Sequence, residues 1–199
     1  MDSVALLHSN HRSTVDALRS AETGAAVQVL CIVGFAFLTA LGAQFQIYVW
    51  EVPFTLQTLA VYGSGLFLGW RNGLLAQVLY LLVGLFLPVY AGGQMGPAIL
   101  FYGVTAGYLF GFPLSAAVAG LVSRKWNGLL GSVLSLMAAS VTLFACGVIW
   151  LHFAAEHTTW FESIDKGWLR FIPVDFAKVL LVGLIYSGTR TFSRKKADR

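Results

Sequence analysis

Residues 72–123 read NGLLAQVLYLLVGLFLPVYAGGQMGPAILFYGVTAGYLFGFPLSAAVAGLVS, fifty-two positions without Asp, Glu, Lys or Arg. A helix needs about 20 mainly apolar residues to cross the hydrocarbon core of a membrane. The segment is therefore long enough for two crossings, and residues 91–97 in its middle, rich in Gly and ending in Pro, are typical of a connecting loop. This pattern predicts an all-α membrane protein.

The other gaps between charged residues predict the remaining helices. Charge-free segments of 28, 19 and 30 residues follow Glu22, Glu51 and Lys125, and a last apolar segment lies near the C-terminus. The prediction is six transmembrane helices, at about residues 25–46, 54–70, 72–90, 100–122, 127–153 and 172–192. The second is short and Gly-rich, which favours a tilted or kinked segment. Residues 25–192 then form one membrane domain between an N-terminal tail (1–24) and a basic tail (193–199).

The distribution of Lys and Arg predicts the orientation. Of the thirteen, ten lie in the two tails, the ends of the last helix and the second and fourth connections. Only Lys166 and Arg170 lie on the opposite side, and Lys178 lies inside the last helix. Because cytoplasmic loops carry the excess of Lys and Arg, we expect a multi-pass protein of the cell membrane with both termini cytoplasmic. Topology also explains the basic C-terminus better than nucleic-acid binding does.

The last predicted helix carries two ionisable residues in its apolar part, Asp175 and Lys178, within IPVDFAK (172–178). A spacing of three residues places both on one helical face. A charge at the centre of a membrane helix costs about 2.5–3.5 kcal/mol, and such charges usually mark a ligand or ion path. The alternative is an interfacial pair that reaches water and only anchors the helix.

Uncharged polar residues gather at the same, predicted external, end of the helices. They lie at the start of the second helix and on either side of the connection between the third and fourth helices. These residues are Thr55, Gln57, Tyr90, Gln94, Thr105 and Tyr108. Each alone has a structural explanation, such as helix capping or an interfacial aromatic belt. Together with Asp175 and Lys178 they predict a pocket for a small, partly apolar ligand with directional hydrogen-bonding groups.

Motifs for catalysis or metal binding do not stand out. Because the chain has no Gly-rich phosphate-binding loop, we do not expect it to hydrolyse ATP. His152 and His157 are five residues apart, a spacing that does not place both rings on one helical face. We therefore predict no metal site, no cofactor and no enzymatic activity.

Four motifs resemble those of a known family. The segments PFTLQTLAV (53–61), GLFLPVYAGG (84–93), GVTAGYLFGFP (103–113) and IPVDFAK (172–178) are similar, in order and spacing, to P-x-T-L-Q-T-L-x-V, G-x-x-G-L-P-V-F-A-G-G, G-P-T-G-G-Y-L-x-G-F-P and I-P-G-D-x-x-K. These patterns belong to the BioY family, the biotin-specific S components of energy-coupling-factor (ECF) transporters. Val104 replaces a family Pro, and Ala106 and Val174 replace Gly, which alters the backbone freedom of segments expected to line the pocket.

The resemblance implies a six-helix ECF S-component bundle in membrane lipid, with a high-affinity biotin site near the external face. It implies uptake energised by a transmembrane coupling T subunit and two ABC-type ATPases. Asp175 would accept a ureido N–H, and Lys178 would serve the ureido oxygen or the carboxylate. Ala36 and Ala40 match the A-x-x-x-A pattern that docks the coupling subunit in this class. Two alternatives stay open: an S component for another vitamin, and a small intramembrane enzyme.

Overall fold

The computed structural model describes residues 16, 18–19, 23–48, 51–126 and 128–197, with the side chains of 194–197 left aside. Its helices and strands follow in chain order: α1 (Ala25–Gln44), β1 (Gln46–Ile47), β2 (Phe54–Thr55), α2 (Gln57–Gly84), α3 (Pro97–Tyr102), α4 (Ala106–Val122), α5 (Leu129–Ala154), α6 (Trp160–Gly167) and α7 (Ile172–Ala197). Most of the predicted N-terminal tail and the end of the basic tail lie outside the described residues.

The helices have the composition of a membrane protein. Among the described residues, α1 and α5 are long and apolar enough to cross a membrane, and α4 is a shorter apolar helix. Helix α2 is also long and apolar enough over its full length, but it consists of two shorter segments. Apolar side chains on the outside are numerous, for example Leu30 at 71% and Phe37 at 61% exposure. The predicted all-α membrane class is confirmed, while the exact number of crossings stays a prediction.

Helix α2 is a hairpin of two antiparallel segments, because Gly69 interrupts it with φ 76° and ψ 177°. Beyond that turn the chain runs back along itself. The Gln57 amide donates to the Tyr80 hydroxyl at 2.7 Å, and the Gln77 amide donates to Ser64 Oγ at 3.1 Å. The segments 57–68 and 70–84 correspond to the second and third predicted helices. The first extends only about 18 Å at 1.5 Å per residue, in agreement with the short segment expected there.

Helix α4 packs between α2 and α5, while α1 covers the other side of α2. Small residues allow this close approach, which matters in lipid because no hydrophobic force drives helices together. A side chain at Gly65 or Gly120 would overlap the backbone of the facing segment, and one at Gly107 would overlap Trp150 and Cys146 of α5. The glycines of α2 and α4 therefore pack the bundle internally.

Three helix ends differ from the prediction by five residues or more. One is the end of α7, at Ala197 instead of residue 192, and the other two lie near the cavity described below. The third predicted helix ends at Gly84 instead of residue 90, because Pro88 disfavours helical geometry in the residue before it. The fourth begins at Ala106 instead of residue 100, because Gly103 adopts an extended conformation (φ −63°, ψ 150°) that separates the short α3 from α4. Residues 85–105 thus form an irregular connection at one end of the bundle.

Candidate ligand-binding site

A cavity lies at the end of the bundle where β2, the start of α2, the 85–105 connection and the start of α7 meet. Six of the eight predicted ligand-binding residues line it: Thr55, Gln57, Tyr90, Gln94, Thr105 and Tyr108. The remaining lining residues are mostly apolar: Val52, Pro53, Thr58, Ala91, Ile99, Leu109, Phe112, Leu143, Phe144 and Phe171. The structure thus brings together residues that are up to 53 positions apart among the predicted six.

A chain of hydrogen bonds orients the polar side of the cavity. The Thr55 hydroxyl donates to Gln57 Oε1 at 2.9 Å, and Gln57 Nε2 donates to the Tyr80 hydroxyl at 2.7 Å. Tyr80 in turn donates to the Val89 carbonyl at 3.2 Å. Because each amide atom has a partner, the orientation of the Gln57 side chain is fixed. Gln57 is therefore held in place before any ligand arrives.

The two tyrosines of the cavity use their hydroxyls to bind the main chain. Tyr90 donates to the Leu81 carbonyl at 2.7 Å, and Tyr108 donates to the Gly167 carbonyl at 2.8 Å. In this conformation the hydroxyl proton of Tyr108 is committed to Gly167. What the two residues offer a ligand is aromatic surface.

Aromatic side chains that sequence reasoning did not single out complete the cavity. Phe144 of α5 and Phe171 before α7 lie with ring centroids 5.8 Å apart. Phe144 also stacks on Trp168 and meets the edge of Tyr108. The chain has 15 Phe residues, so residue type alone could not distinguish these two from lipid-facing ones.

Asp175 lies below the cavity and outside its lining. Its side chain is buried, with 5% exposure, and both oxygens accept hydroxyl hydrogen bonds, from Tyr62 at 2.8 Å and from Ser140 at 2.5 Å. Ser140 lies one helical turn before Leu143 and Phe144, which line the cavity floor. Asp175 therefore does not reach water as an interfacial anchor would. Tyr62 and Ser140 carried no sequence signal, because single hydroxyls are common in apolar helices.

Lys178 lies on the other side of the segment that joins β2 to α2. Its ammonium group donates to the Thr55 carbonyl at 2.6 Å and to the Thr58 hydroxyl at 3.0 Å. Both threonines also line the cavity, so Lys178 supports the cavity wall from behind. Asp175 and Lys178 share a helical face as predicted, but each has its own uncharged partners.

The cavity is small in this conformation, with a volume of about 60 Å³. Sites for drug-sized ligands usually enclose about 300–1,000 Å³. A ligand of that class therefore enters only when the walls move. Val52 and Pro53, in the β1–β2 loop, form one of those walls.

An ionic clasp holds this loop to α6. The Lys166 ammonium lies 3.0 Å from Glu51 Oε1 and 2.9 Å from Glu162 Oε1. A hydrogen bond to its own backbone, and then Lys166, lower the pKa of Glu51, while Lys166 lowers the pKa of Glu162. The two carboxylates raise the pKa of Lys166. Glu51 directly precedes Val52, so the clasp connects this cavity wall to α6.

Two further sequence interpretations concern residues outside the cavity. Ala36 is buried inside the bundle at 7% exposure, and Ala40 is partly buried. The three departures from the family pattern carry no positive φ, since Glu156 is the one non-glycine residue with positive φ in the described chain. Val104, Ala106 and Val174 therefore introduce no left-handed backbone strain.

The two histidines near the end of α5 converge, unlike what their spacing suggested. The chain turns at Glu156 (φ 53°), and both His152 Nδ1 and His157 Nδ1 lie within hydrogen-bonding distance of Ser163 Oγ, at 2.9 and 3.1 Å. The helical-face argument failed because His157 lies beyond the end of α5. Among the described residues, no three metal-ligating side chains lie together.

Comparison with known proteins identifies the family of this chain. The profile of the BioY family matches residues 12–195. The Biotin transporter BioY of Thermotoga maritima is 36% identical over 152 residues, which cover 76% of this chain and 88% of that protein. The Biotin transporter BioY of Rhizobium etli is 37% identical over 144 residues, which cover 67% of this chain and 75% of that protein.

The fold has a solved counterpart. The crystal structure of the S-component for biotin from an ECF-type ABC transporter superposes with a TM-score of 0.76 at 23% identity, covering 83% of this chain and 92% of that one. The predicted S-component bundle is therefore confirmed as a fold. With the family profile spanning most of the sequence and relatives above 30% identity, this chain belongs to the BioY family.

Proposed function

We propose that this chain is a substrate-binding subunit that captures biotin at the external face of the cell membrane for uptake. The observation that carries the proposal is the cavity itself: a membrane protein of the BioY family has six polar or aromatic residues, distant in sequence, around one space at the predicted external end. Relatives named biotin transporters support biotin as the ligand.

The chemistry of the walls suits this ligand. Biotin has a ureido ring with two N–H donors and one carbonyl acceptor, an apolar thioether ring and chain, and a terminal carboxylate. The amides of Gln57 and Gln94 and the hydroxyls of Thr55 and Thr105 supply donors and acceptors around the cavity. Tyr90, Phe144 and Phe171 supply apolar surface for the ring and chain. A site built to pair polar groups discriminates against analogues that lack them.

Asp175 and Lys178 act in this proposal once the cavity opens. The carboxylate of Asp175 lies one turn below the floor and would accept a ureido N–H when the floor residues separate. The ammonium of Lys178 is joined to the wall through Thr55 and Thr58. Opening of the β1–β2 loop and outward movement of the aromatic walls would provide the volume that biotin needs.

The proposal also includes partner subunits that supply the energy for transport. The sequence has no phosphate-binding loop, so we propose that a transmembrane coupling subunit and two ABC-type ATPases supply the energy. The exposed apolar face of α1, with Val33, Phe37 and Leu41, is available for docking next to Ala40. Ala36 lies inside, so its contribution would be to the close packing of α1 on α2.

Uptake of labelled vitamin tests the proposal in cells. A biotin-requiring bacterium without biotin uptake, expressing this chain together with a coupling subunit and ATPases, should accumulate radiolabelled biotin. Excess unlabelled biotin should abolish accumulation, whereas thiamine and riboflavin should not. Competition by another vitamin would instead favour an S component of different specificity, and recovery of a chemically altered ligand would favour an intramembrane enzyme.

A further inference from the structure

A basic groove lies at the end of the bundle opposite the cavity. Helix α4 leads from Thr105 at the cavity to Arg124 at the groove, about 28 Å along a helix of this length. The hydrocarbon core of a membrane is about 30 Å thick. With the cavity at one interface, the groove therefore lies at the other, which is the cytoplasmic one in the proposed orientation.

Three arginines from separate parts of the chain line this groove, Arg19, Arg71 and Arg124. The groove has a volume of about 440 Å³ and includes the side chains of Gln28, Trp70 and Asn72. The described lining contains no acidic residue. The groove therefore combines three positive charges with amide donors and an indole, and this composition fits an anionic group at a membrane surface.

Among the described residues, the groups that hold the Arg19 guanidinium in place are uncharged. Its guanidinium donates to the Tyr186 hydroxyl at 2.7 Å, to the Gly120 carbonyl at 3.0 Å and to Ser123 Oγ at 2.9 Å. All three acceptors are uncharged. In the part of the chain that the structure describes, Asp16, the nearest acid in sequence, pairs with Arg190 at 2.9 Å. The hydrogen bonds thus fix Arg19 and leave its positive charge for a ligand.

The other side chains are arranged around the open side of the groove. The Arg71 guanidinium lies 5.1 Å from the centroid of the Trp70 ring, a cation–π distance. Asn72 donates to Gln28 Oε1 at 3.3 Å, which joins the start of α1 to the α2 turn. Trp residues are enriched at the membrane–water interface. Arg71 and Arg124 are exposed and can reach a headgroup that approaches from the lipid.

We propose that this groove binds the phosphate of an anionic phospholipid headgroup from the cytoplasmic leaflet. Arginine forms paired hydrogen bonds with phosphate oxygens. The cytoplasmic leaflet carries anionic lipids, and basic pockets between helices on that side bind their headgroups. The bound lipid would connect Arg19 of the N-terminal segment, Arg71 beside the α2 turn and Arg124 after α4. This site is separate from the cavity and serves lipid rather than the transported vitamin.

Native mass spectrometry with defined lipids tests the proposal. Purified protein is titrated with phosphatidylglycerol or with neutral phosphatidylcholine of the same acyl chains. We expect the wild-type protein to prefer phosphatidylglycerol. The double variant Arg71→Gln/Arg124→Gln should bind it about thirtyfold more weakly, since each basic residue near an anionic lipid surface contributes about fivefold. Equal binding of the two lipids by wild type, or unchanged binding by the double variant, would overturn the proposal.

Two control variants separate a built site from general basicity. Lys125→Gln removes the exposed charge next to Arg124 but outside the groove and should leave phosphatidylglycerol binding unchanged. The double variant Arg71→Lys/Arg124→Lys keeps the charges and should restore much of the binding. An equal loss in Lys125→Gln would contradict a defined site and indicate only a charged surface.

Two further experiments distinguish a lipid phosphate from free phosphate, and a lipid from a protein partner. Inorganic phosphate at millimolar concentration should fail to displace phosphatidylglycerol, because the membrane-embedded lipid has the higher local concentration; full displacement would assign the groove to free phosphate. Unchanged lipid binding in the double variant, combined with lost assembly with the ATPases, would assign it to an acidic protein surface.

Discussion

Asp175 is the residue whose environment matters most for ligand binding. It is buried and accepts hydrogen bonds from Tyr62 and Ser140, so it is held as an oriented acceptor. Asp175→Asn keeps the size and removes the charge. A hydrogen bond to a charged group contributes about 1.5–3 kcal/mol, so we expect biotin affinity to fall about tenfold to hundredfold, as measured by titration calorimetry.

Asp165→Asn is the matched control for that variant. Asp165 is a carboxylate at the surface and forms an ion pair with Arg170 at 2.6 Å. Exposed ion pairs contribute about 0–1 kcal/mol, and Asp165 lies outside the cavity lining. Biotin affinity of Asp165→Asn should therefore match the wild type. Near-wild-type affinity in Asp175→Asn as well would assign Asp175 to the scaffold instead of the site.

In this structure, Lys178 contacts residues of the cavity wall and does not line the cavity itself. Its ammonium binds the Thr55 carbonyl and the Thr58 hydroxyl. Lys178→Met keeps an unbranched stem and removes these bonds. We expect the affinities for biotin and for a biotin amide to fall by the same factor, about tenfold, which is the lower end of the contribution of a charge-assisted hydrogen bond. A selective loss for biotin would show instead that Lys178 contacts the ligand carboxylate directly.

At the level of single residues, sequence predicts a site through rarity. A carboxylate within an apolar helix is unusual enough that Asp175 could be singled out, and Gln57 and Gln94 stood out for the same reason. Tyr62, Ser140 and Phe144 could not be found this way, because hydroxyl and aromatic residues also occur where they only pack. Their roles depend on which helices face each other, which one sequence does not specify.

The turn of α2 depends on Gly69. Its φ of 76° and ψ of 177° lie in a region that is essentially restricted to glycine. A Cβ there would make only ordinary contacts with Arg19, so the cost of Gly69→Ala is conformational. Such strain costs about 1–3 kcal/mol, and we expect a lower midpoint of thermal unfolding in detergent.

Gly34→Ala provides the comparison for the α2 turn. Gly34 lies within α1, and a Cβ there meets nothing within 4 Å. Replacing a helical Gly by Ala usually stabilises the helix. The thermal midpoint of Gly34→Ala should therefore stay the same or rise. A fall of equal size in both variants would contradict a special role of Gly69.

The loop clasp predicts a pH dependence of ligand release. The pKa of Glu51 and that of Glu162 are lowered from an ordinary value of 4.5. The attraction of these carboxylates to Lys166, which holds the loop, is therefore complete above that pH and is lost as pH falls through the lowered pKa. The pKa of Lys166 is raised from 10.5, so its charge persists throughout this range. We expect biotin to dissociate faster as pH falls below about 4.5.

The variant Glu51→Gln tests the origin of that dependence. It removes the carboxylate from the loop and leaves the Glu162–Lys166 pair, which lies within α6. Its release rate at neutral pH should already be close to that of the acidified wild type, and the change below pH 4.5 should shrink. An unaltered pH profile would mean that the clasp does not control the wall.

Among the elements, the positions of the helices were predictable and their ends were not. Charge gaps measure the length of chain that can lie in lipid, so they indicated the segments of α1 and α5 closely. Charge gaps do not detect Pro88 and Gly103, because these residues end a helix but carry no charge. The short α3, the β1–β2 pair and the whole cavity connection therefore appeared only in the structure.

The orientation of the whole molecule is a separate prediction. Ten basic residues on one side against two on the other place both termini in the cytoplasm. A cytoplasm-active reporter fused at Arg199 should be active, whereas the same reporter inserted after Gln94 should be inactive. The opposite result would mean that the orientation is reversed. The cavity would then lie at the cytoplasmic face, where it could not capture a ligand from outside.

The central claim is that the cavity at the external end binds biotin. Equilibrium binding of radiolabelled biotin to the purified, isolated protein tests it most directly, with thiamine and riboflavin as competitors. We expect saturable binding of one biotin per chain, displaced by unlabelled biotin, unaffected by the other two vitamins and weakened by Asp175→Asn but not by Asp165→Asn. Absence of saturable biotin binding, or displacement by either competitor, would contradict it.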